Sequence, residues 1–448
     1  MRDNMWDAAG DGRGSENVAA RDRSVFQLHW ILIALLPVIM AAVTWGPEHY
    51  HYAIQVWLRF FSLPVLLVEA VVVGIALATG VRPLRVLRHL PVPAQAGLAM
   101  IVTIGLGTTL WVAGDPASAA LRTNTTLIHI CFGLSVAGLV GKTSPRFDRE
   151  IWPLIVGGLL VYLLMLLSYV AMIEDPDVFD WGHLGLGVSN VRFVGFFAGI
   201  GAAASLALAC LAQPRVYWRW VLAATLFMGL MFWSGSRNPV LAVSTACLIG
   251  AATMPAMRRM KTAIAWGSSV VGGALISLIH VPQHPAYGLY RMIFSVASGD
   301  ANTISSGRLE LWGGAIRAFA QKPIFGFGEG QFIHVVPEAM SVYHHPHNFG
   351  LQFLIQCGAV GGLCAVGLLI WAWCHIMKLT RCAEDQLLPA YLVLTALILA
   401  ACLDGIFFFL YPAAMVALTI ALTLGTALRN QPVQVAAKTA SQEAVVAA

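Results

Sequence analysis

The sequence predicts an all-α polytopic membrane protein, with about twelve transmembrane helices and one large, partly helical loop on the outer face. Three observations carry this prediction. Of the 448 residues, 58% are hydrophobic and only 11% are charged, where soluble domains carry about 25% charged residues. Apolar runs long enough to cross a bilayer at about 1.5 Å per residue recur along the chain. Lys and Arg gather in alternate short loops, which marks those loops as cytoplasmic. The mean hydropathy is +0.75. The net charge of +5 is small, and no nucleic-acid partner is expected.

Taken in order, residues 1–27 are polar and contain Arg2, Arg13, Arg21 and Arg23. They read as a cytoplasmic tail before a signal-anchor helix, because no cleavage site follows the first apolar run. Residues 28–280 hold spans one to nine, at about 29–45, 53–79, 96–113, 127–141, 151–172, 194–212, 220–233, 240–254 and 262–279. Arg82, Arg85 and Arg88, then Lys142, Arg146 and Arg149, then Arg215 and Arg219, then Arg258, Arg259 and Lys261 mark the inside loops. Residues 281–347 form the large outer loop. Residues 348–428 hold the last three spans, with Lys378 and Arg381 inside. Residues 429–448 are a second cytoplasmic tail, rich in Ala, Val and Gln, and expected to be disordered. Arg122 falls in an outer loop at 114–126. Arg59 falls within span two, where it either snorkels or faces a polar cavity. Apart from Arg59 the spans read as free of buried charge.

The eight cysteines lie in apolar spans or in an inside loop, and no C-x-x-C pair points to zinc. They read as small apolar fillers. No Walker motif, G-x-S-x-G or H-E-x-x-H is present, so nucleotide-driven chemistry is disfavoured. Gly326-Phe327-Gly328-Glu329-Gly330 has the wrong spacing for a nucleotide fingerprint. It reads as a tight turn where backbone approaches another element. Within the loop, Leu309, Trp312, Ile316 and Phe319 fall near helical spacing and predict an amphipathic helix over 308–321.

The outer face holds the residues suited to chemistry. Arg192 opens a span, Arg237 sits in the turn Ser234-Gly235-Ser236-Arg237, and Arg308 and Arg317 lie in the loop. Guanidinium forks match phosphate oxygens and stay charged, so such a set suits a lipid-linked phosphate or pyrophosphate. His344, His345 and His347 fall just before Asn348 and the next span. A neutral imidazole there could take the proton of an attacking hydroxyl. A metal is not expected, since no carboxylate or cysteine lies at ligand spacing from these histidines.

Val191-Arg192-Phe193-Val194-Gly195-Phe196, Ser234-Gly235-Ser236-Arg237, Ser306-Gly307-Arg308 with Trp312, Lys322-Pro323-Ile324-Phe325-Gly326-Phe327-Gly328 and His345-Pro346-His347-Asn348 occur in that order. The pattern resembles the O-antigen ligase and polymerase superfamily of the bacterial inner membrane. The resemblance implies a fold similar to the membrane-embedded C type of glycosyltransferase, without metal or cofactor. It implies transfer of a glycan from undecaprenyl pyrophosphate to an acceptor on the periplasmic side, with both termini cytoplasmic. For a ligase, the acceptor is a sugar hydroxyl of lipid A–core. Carried over, His347 is the base, with His345 as the fallback. Arg192, Arg237 and Arg308 hold the pyrophosphate, and Arg317, Arg59 and Asn348 are secondary candidates. Donor, acceptor and membrane lipids are the expected partners.

A ligase is preferred over a polymerase or a protein O-oligosaccharyltransferase, because a single large outer loop dominates. A lipid or sugar transporter is the other class. It predicts essential charges deep in the spans.

Overall fold

The computed structural model describes residues 27–45, 62–181, 184–188, 190–280, 287–297, 305–339, 343–382 and 385–446. Arg59 lies outside the described residues. Among those described, the fold is helical, and its extended pairing is an isolated bridge between Gly185 and Val188.

The expected first span is two short helices, α1 (Leu28–Ala34) and α2 (Leu36–Val43). Pro37 lacks an N–H and its ring opposes the preceding turn, so the helix breaks at Leu35. Then come α3 (Leu63–Ala78), the short α4 (Pro83–Leu87), α5 (Val92–Trp111), α6 (Pro116–Val140), α7 (Phe147–Ala171) and α8 (Val191–Leu211). After these come α9 (Pro214–Trp233), α10 (Arg237–Thr253), α11 (Met260–Ser277), α12 (Gly288–Ala297), α13 (Arg308–Gln321) and α14 (Phe332–Val335). The chain closes with α15 (Phe349–Cys382), α16 (Leu388–Ala401) and α17 (Leu410–Val446). Over their described residues, the expected spans overlap helices. Among the described residues, seven helices are long and apolar enough to cross a membrane: α5 to α9, α15 and the Leu410–Asn430 part of α17. α3 is a shorter apolar helix, as is the stretch Asp385–Ala401 that includes α16.

α8 is the central post. It packs against α7, α9, α10 and α16. Its small residues permit this: a Cβ added at Gly195 would meet Ser236 at 2.7 Å, and one at Gly201 would meet the Phe227 ring at 2.6 Å. In lipid, close approach of backbones replaces the hydrophobic drive as the source of packing energy.

α15 is broken at Gly358, whose φ is +64°. The large loop repairs the break. Phe327 N donates to Ile355 O (2.8 Å) and Gly328 N to Gln356 O (2.9 Å). Ala359 N donates to Pro323 O (2.7 Å) and Val360 N to Ile324 O (3.2 Å). Buried backbone polar groups must be paired, and here the glycine turn pairs with the kink. The turn expected at 326–330 thus docks on α15, and it also docks on α6. Gln331 exchanges hydrogen bonds with the Asp115 backbone, both at 2.9 Å.

Four expectations are corrected. Arg122 is not in a loop, because α6 starts at Pro116 with Asp115 accepting from Ser118 N at its N-terminus. The spans do hold buried charge: Glu69 of α3 is fully buried against His129 of α6 (2.7 Å), and Arg122 is buried too. The tail after 429 continues α17 to Val446 rather than losing structure. Its Ala-rich sequence favours helix, and Arg429 is tied to Asp148 of α7. Finally, α13 forms over the predicted residues but buries Leu311, Gly314, Ala315 and Ala318, leaving Leu309 and Ile316 exposed. Small residues let this face lie close to Val336 and Glu338.

Candidate active site

Two clusters meet where α8, α10, α12, α13 and α15 begin. The first is built on the turn before α15. Asn348 caps that helix by accepting from Leu351 N (3.0 Å), and its amide donates to Cys402 O (2.9 Å). Its role in the structure is thus an anchor. Trp312 of α13 donates its indole N–H to Pro346 O (2.8 Å). Between these ties His347 adopts φ +51°, a left-handed conformation that side chains other than glycine rarely hold.

His347 Nδ1 lies 2.8 Å from Asp404 Oδ1. Arg308 donates to the other carboxylate oxygen at 3.0 Å, and Gly405 N donates to Oδ1 at 2.8 Å. Burial would raise the Asp404 carboxyl. The His347 imidazole and then the Arg308 guanidinium outweigh it and hold the acid well below the usual carboxylate range. An ionised Asp404 can only accept, so Nδ1 of His347 carries the hydrogen, and in the neutral ring Nε2 then holds the lone pair. That is the arrangement a general base needs.

His345 is set differently. It is buried, its ring lies 4.2 Å from that of His347, and it rests on Phe408 (4.7 Å). His345 Nδ1 accepts from His347 N at 3.2 Å. Burial, with the neighbouring His347, keeps it neutral by pushing its pKa well below the ordinary value. A side chain at Gly405 would run into this ring. His344 stacks near Phe408 at 6.1 Å.

The second cluster is cationic. Arg237 Nη2 and Arg291 Nη2 converge on Ser306 Oγ at 3.4 and 3.5 Å, and Arg291 Nη1 donates to Gly235 O at 2.9 Å. Ser306 and Gly307 both hold positive φ, and Arg308 follows them directly. Arg192 lies above the Tyr287 ring at 5.8 Å. Its Nε is buried with no hydrogen-bond partner among the described residues, and its carbonyl accepts from Ser236 Oγ at 2.5 Å. Burial, together with Arg192, Arg237 and Arg308, lowers Arg291 to about 10. Four guanidiniums gathered this closely make a strong anion site.

The structure therefore brings together Arg192, Arg237, Arg308, His345 and His347. It leaves Arg317 out. That residue is exposed and paired with Glu338. It follows Arg308 by nine residues, which at about 100° per residue turns it to the opposite face of α13. Two residues were missed by sequence reasoning, Asp404 and Arg291. Asp404 stands in a turn between α16 and α17, and Arg291 lies on α12 in the large loop.

No carboxylate lies at ligand spacing in the sequence around the histidines, but the fold brings one to them from elsewhere in the chain. Ligand atoms of His345, His347 and Asp404 all lie within 4.8 Å of one another. The donor set nevertheless fits a dication poorly. Asp404 is already engaged by His347, Gly405 and Arg308, and the adjacent guanidiniums repel added positive charge.

Residues 221–366 match the family model described as O-antigen ligase. Over that segment the chain is similar to the O-antigen ligase family. No curated protein matches it. The matched segment carries Arg237, Arg291, Arg308, His345 and His347. Arg192 and Asp404 lie on either side of it and join the site only through the fold. The match, with the apolar helices, supports a multi-pass membrane protein of glycosyltransferase type that acts on a lipid-linked glycan.

Proposed function

We propose that the protein is an inverting, metal-independent O-antigen ligase. It moves the glycan of undecaprenyl pyrophosphate to a sugar hydroxyl of lipid A–core, and so completes lipopolysaccharide. The observation that carries this reading is the His347–Asp404–Arg308 chain, in which one carboxylate joins a base to the arginine cluster. The reading sets the protein in the bacterial inner membrane with both termini cytoplasmic, in line with the distribution of Lys and Arg among its loops. The site then faces the periplasm.

In this reading Arg192, Arg237, Arg291 and Arg308 bind the pyrophosphate. The acceptor hydroxyl gives its proton to His347 Nε2 as its oxygen attacks the anomeric carbon from the face opposite the pyrophosphate. The new C–O bond forms as the bond to the phosphate oxygen breaks, and the configuration inverts. The arginines meet the charge growing on the leaving group. Asp404 meets the charge growing on His347, and the proton then passes to water or to the released pyrophosphate. His345, being neutral and buried, holds the His347 backbone through Nδ1. The energy comes from the activated donor, so no cofactor is required.

A ligase is favoured over a polymerase or a protein O-oligosaccharyltransferase by the single dominant outer loop. A transporter is disfavoured because the charges buried in the spans are engaged with each other or with backbone. The deciding assay combines the purified protein, undecaprenyl-pyrophosphate-linked glycan and lipid A–core, with and without chelator. Glycosylated lipid A–core in both conditions supports the ligase. Longer donor glycan with unmodified acceptor favours a polymerase.

A further inference from the structure

Arg122 has no part in the chemistry proposed above, yet it sits buried in a membrane-spanning helix, where an arginine is expensive and rarely idle. Its surroundings say what it holds. The guanidinium carbon lies 3.9 Å from the centre of the Phe408 ring, and Nη1 donates to Phe408 O at 3.0 Å. One side chain thus grips both the ring and the backbone of a single residue 286 positions away. Phe408 in turn supports His345, whose Nδ1 accepts from His347 N.

Arg122 also interacts with Glu329, a half-buried acid from the loop that repairs the α15 kink. Glu329 accepts from Thr126 Oγ1 at 2.9 Å, one helical turn beyond Arg122 on α6. The loop is pressed onto this helix, since a Cβ at Gly330 would meet Ser118 Oγ at 2.7 Å and Arg122 Cγ at 3.3 Å. All three side chains border a cavity of about 270 Å³ between α5, α6, α15 and α17. The Arg122–Phe408 contact forms part of its wall.

We infer that Arg122 is a positioning residue that clamps Phe408 and thereby fixes the His345–His347 turn. The role rests on the proposed reading of His347 as the base. Cation–ring and charge-assisted hydrogen bonds strengthen as water is excluded, so the clamp is firmest where it is found. Lysine at 122 would keep the charge, but a single ammonium lacks the planar fork that both covers the ring and bonds the carbonyl.

The test is a double-mutant cycle on the full-length protein in lipid nanodiscs, using Arg122→Lys, Phe408→Leu and the double variant. Each single change should lower kcat about ten-fold or more and leave the donor KM within about two-fold, and the double should cost no more than the worse single. Separately, hydrogen exchange across 343–349 should rise in both single variants. Multiplying losses, or a loss carried by donor KM, would overturn the clamp. Unchanged exchange across 343–349 would overturn it too, and would do so even if the wild type transfers no glycan. Absence of wild-type transfer with raised exchange would instead discard the ligase reading and keep the clamp.

Discussion

His347 Nδ1 and Asp404 Oδ1 stand 2.8 Å apart, although 57 residues and a kinked membrane helix separate them in the chain. This contact does two things. It fixes the tautomer that leaves Nε2 free, and it shares its carboxylate with Arg308 at 3.0 Å. The base and one member of the arginine cluster are therefore locked to the same group. Asp404→Asn keeps the size but loses the charge and allows the amide to present a donor to Nδ1. Transfer should fall by about 10²-fold or more, within the usual range for general-base catalysis. Steady-state kcat on the purified protein checks this, with donor binding measured alongside to exclude misfolding.

The arginines separate into members and bystanders. Arg291→Ala removes a guanidinium that burial and three neighbouring arginines surround. It should cost about 2–4 kcal/mol of transition-state stabilisation, as loss of other preorganised donors does. Arg317→Ala removes an exposed ion pair with Glu338, a type of contact worth about 0–1 kcal/mol. Its kcat/KM should stay within a few-fold of wild type. Equal losses in the two variants would contradict the boundary drawn around the site.

Much of this could be read locally. Hydropathy and the alternation of basic loops are short-range signals, and so the spans and the 308–321 helix were legible. The motifs around Arg192, Arg237, Arg308 and His347 were legible as types of chemistry. Asp404 was not, because nothing in its own turn names a histidine 57 positions upstream. Arg122 and Glu69 were different. Asp115-Pro116 is a helix-start signal that should have moved Arg122 out of the loop, and a lone acid in the run 63–78 marks a buried pair. The helical continuation of 429–446 shows that a polar tail needs only good helix formers and one anchored end.

Backbone constraints give an independent check. Gly405 carries no Cβ because the His345 ring occupies that space. Gly405→Ala should push the ring off Phe408 and lower transfer while the spans still assemble. Thermal unfolding should shift only modestly, as expected for about 1–3 kcal/mol of local overpacking. A fully active Gly405→Ala enzyme would mean that the seat of His345 does not matter.

Glu329 gives the stability of the loop a pH dependence. Burial raises its carboxyl to about 7, against the opposing pull of Thr126, Arg122 and His129. The folded state then binds this proton more tightly than the unfolded chain, whose value is 4.5. The stability so contributed is full below that value and is lost as pH rises through about 7. Between those limits the wild type should lose melting temperature relative to Glu329→Gln as pH rises. Parallel profiles for the two proteins would refute this.

The most direct measurement is transfer from undecaprenyl-pyrophosphate-linked glycan to lipid A–core by His347→Ala, with donor binding measured on the same preparation. The account predicts that transfer is abolished while the donor still binds the arginine cluster. Full transfer by His347→Ala, or loss of donor binding with it, would contradict the assignment of His347 as the base.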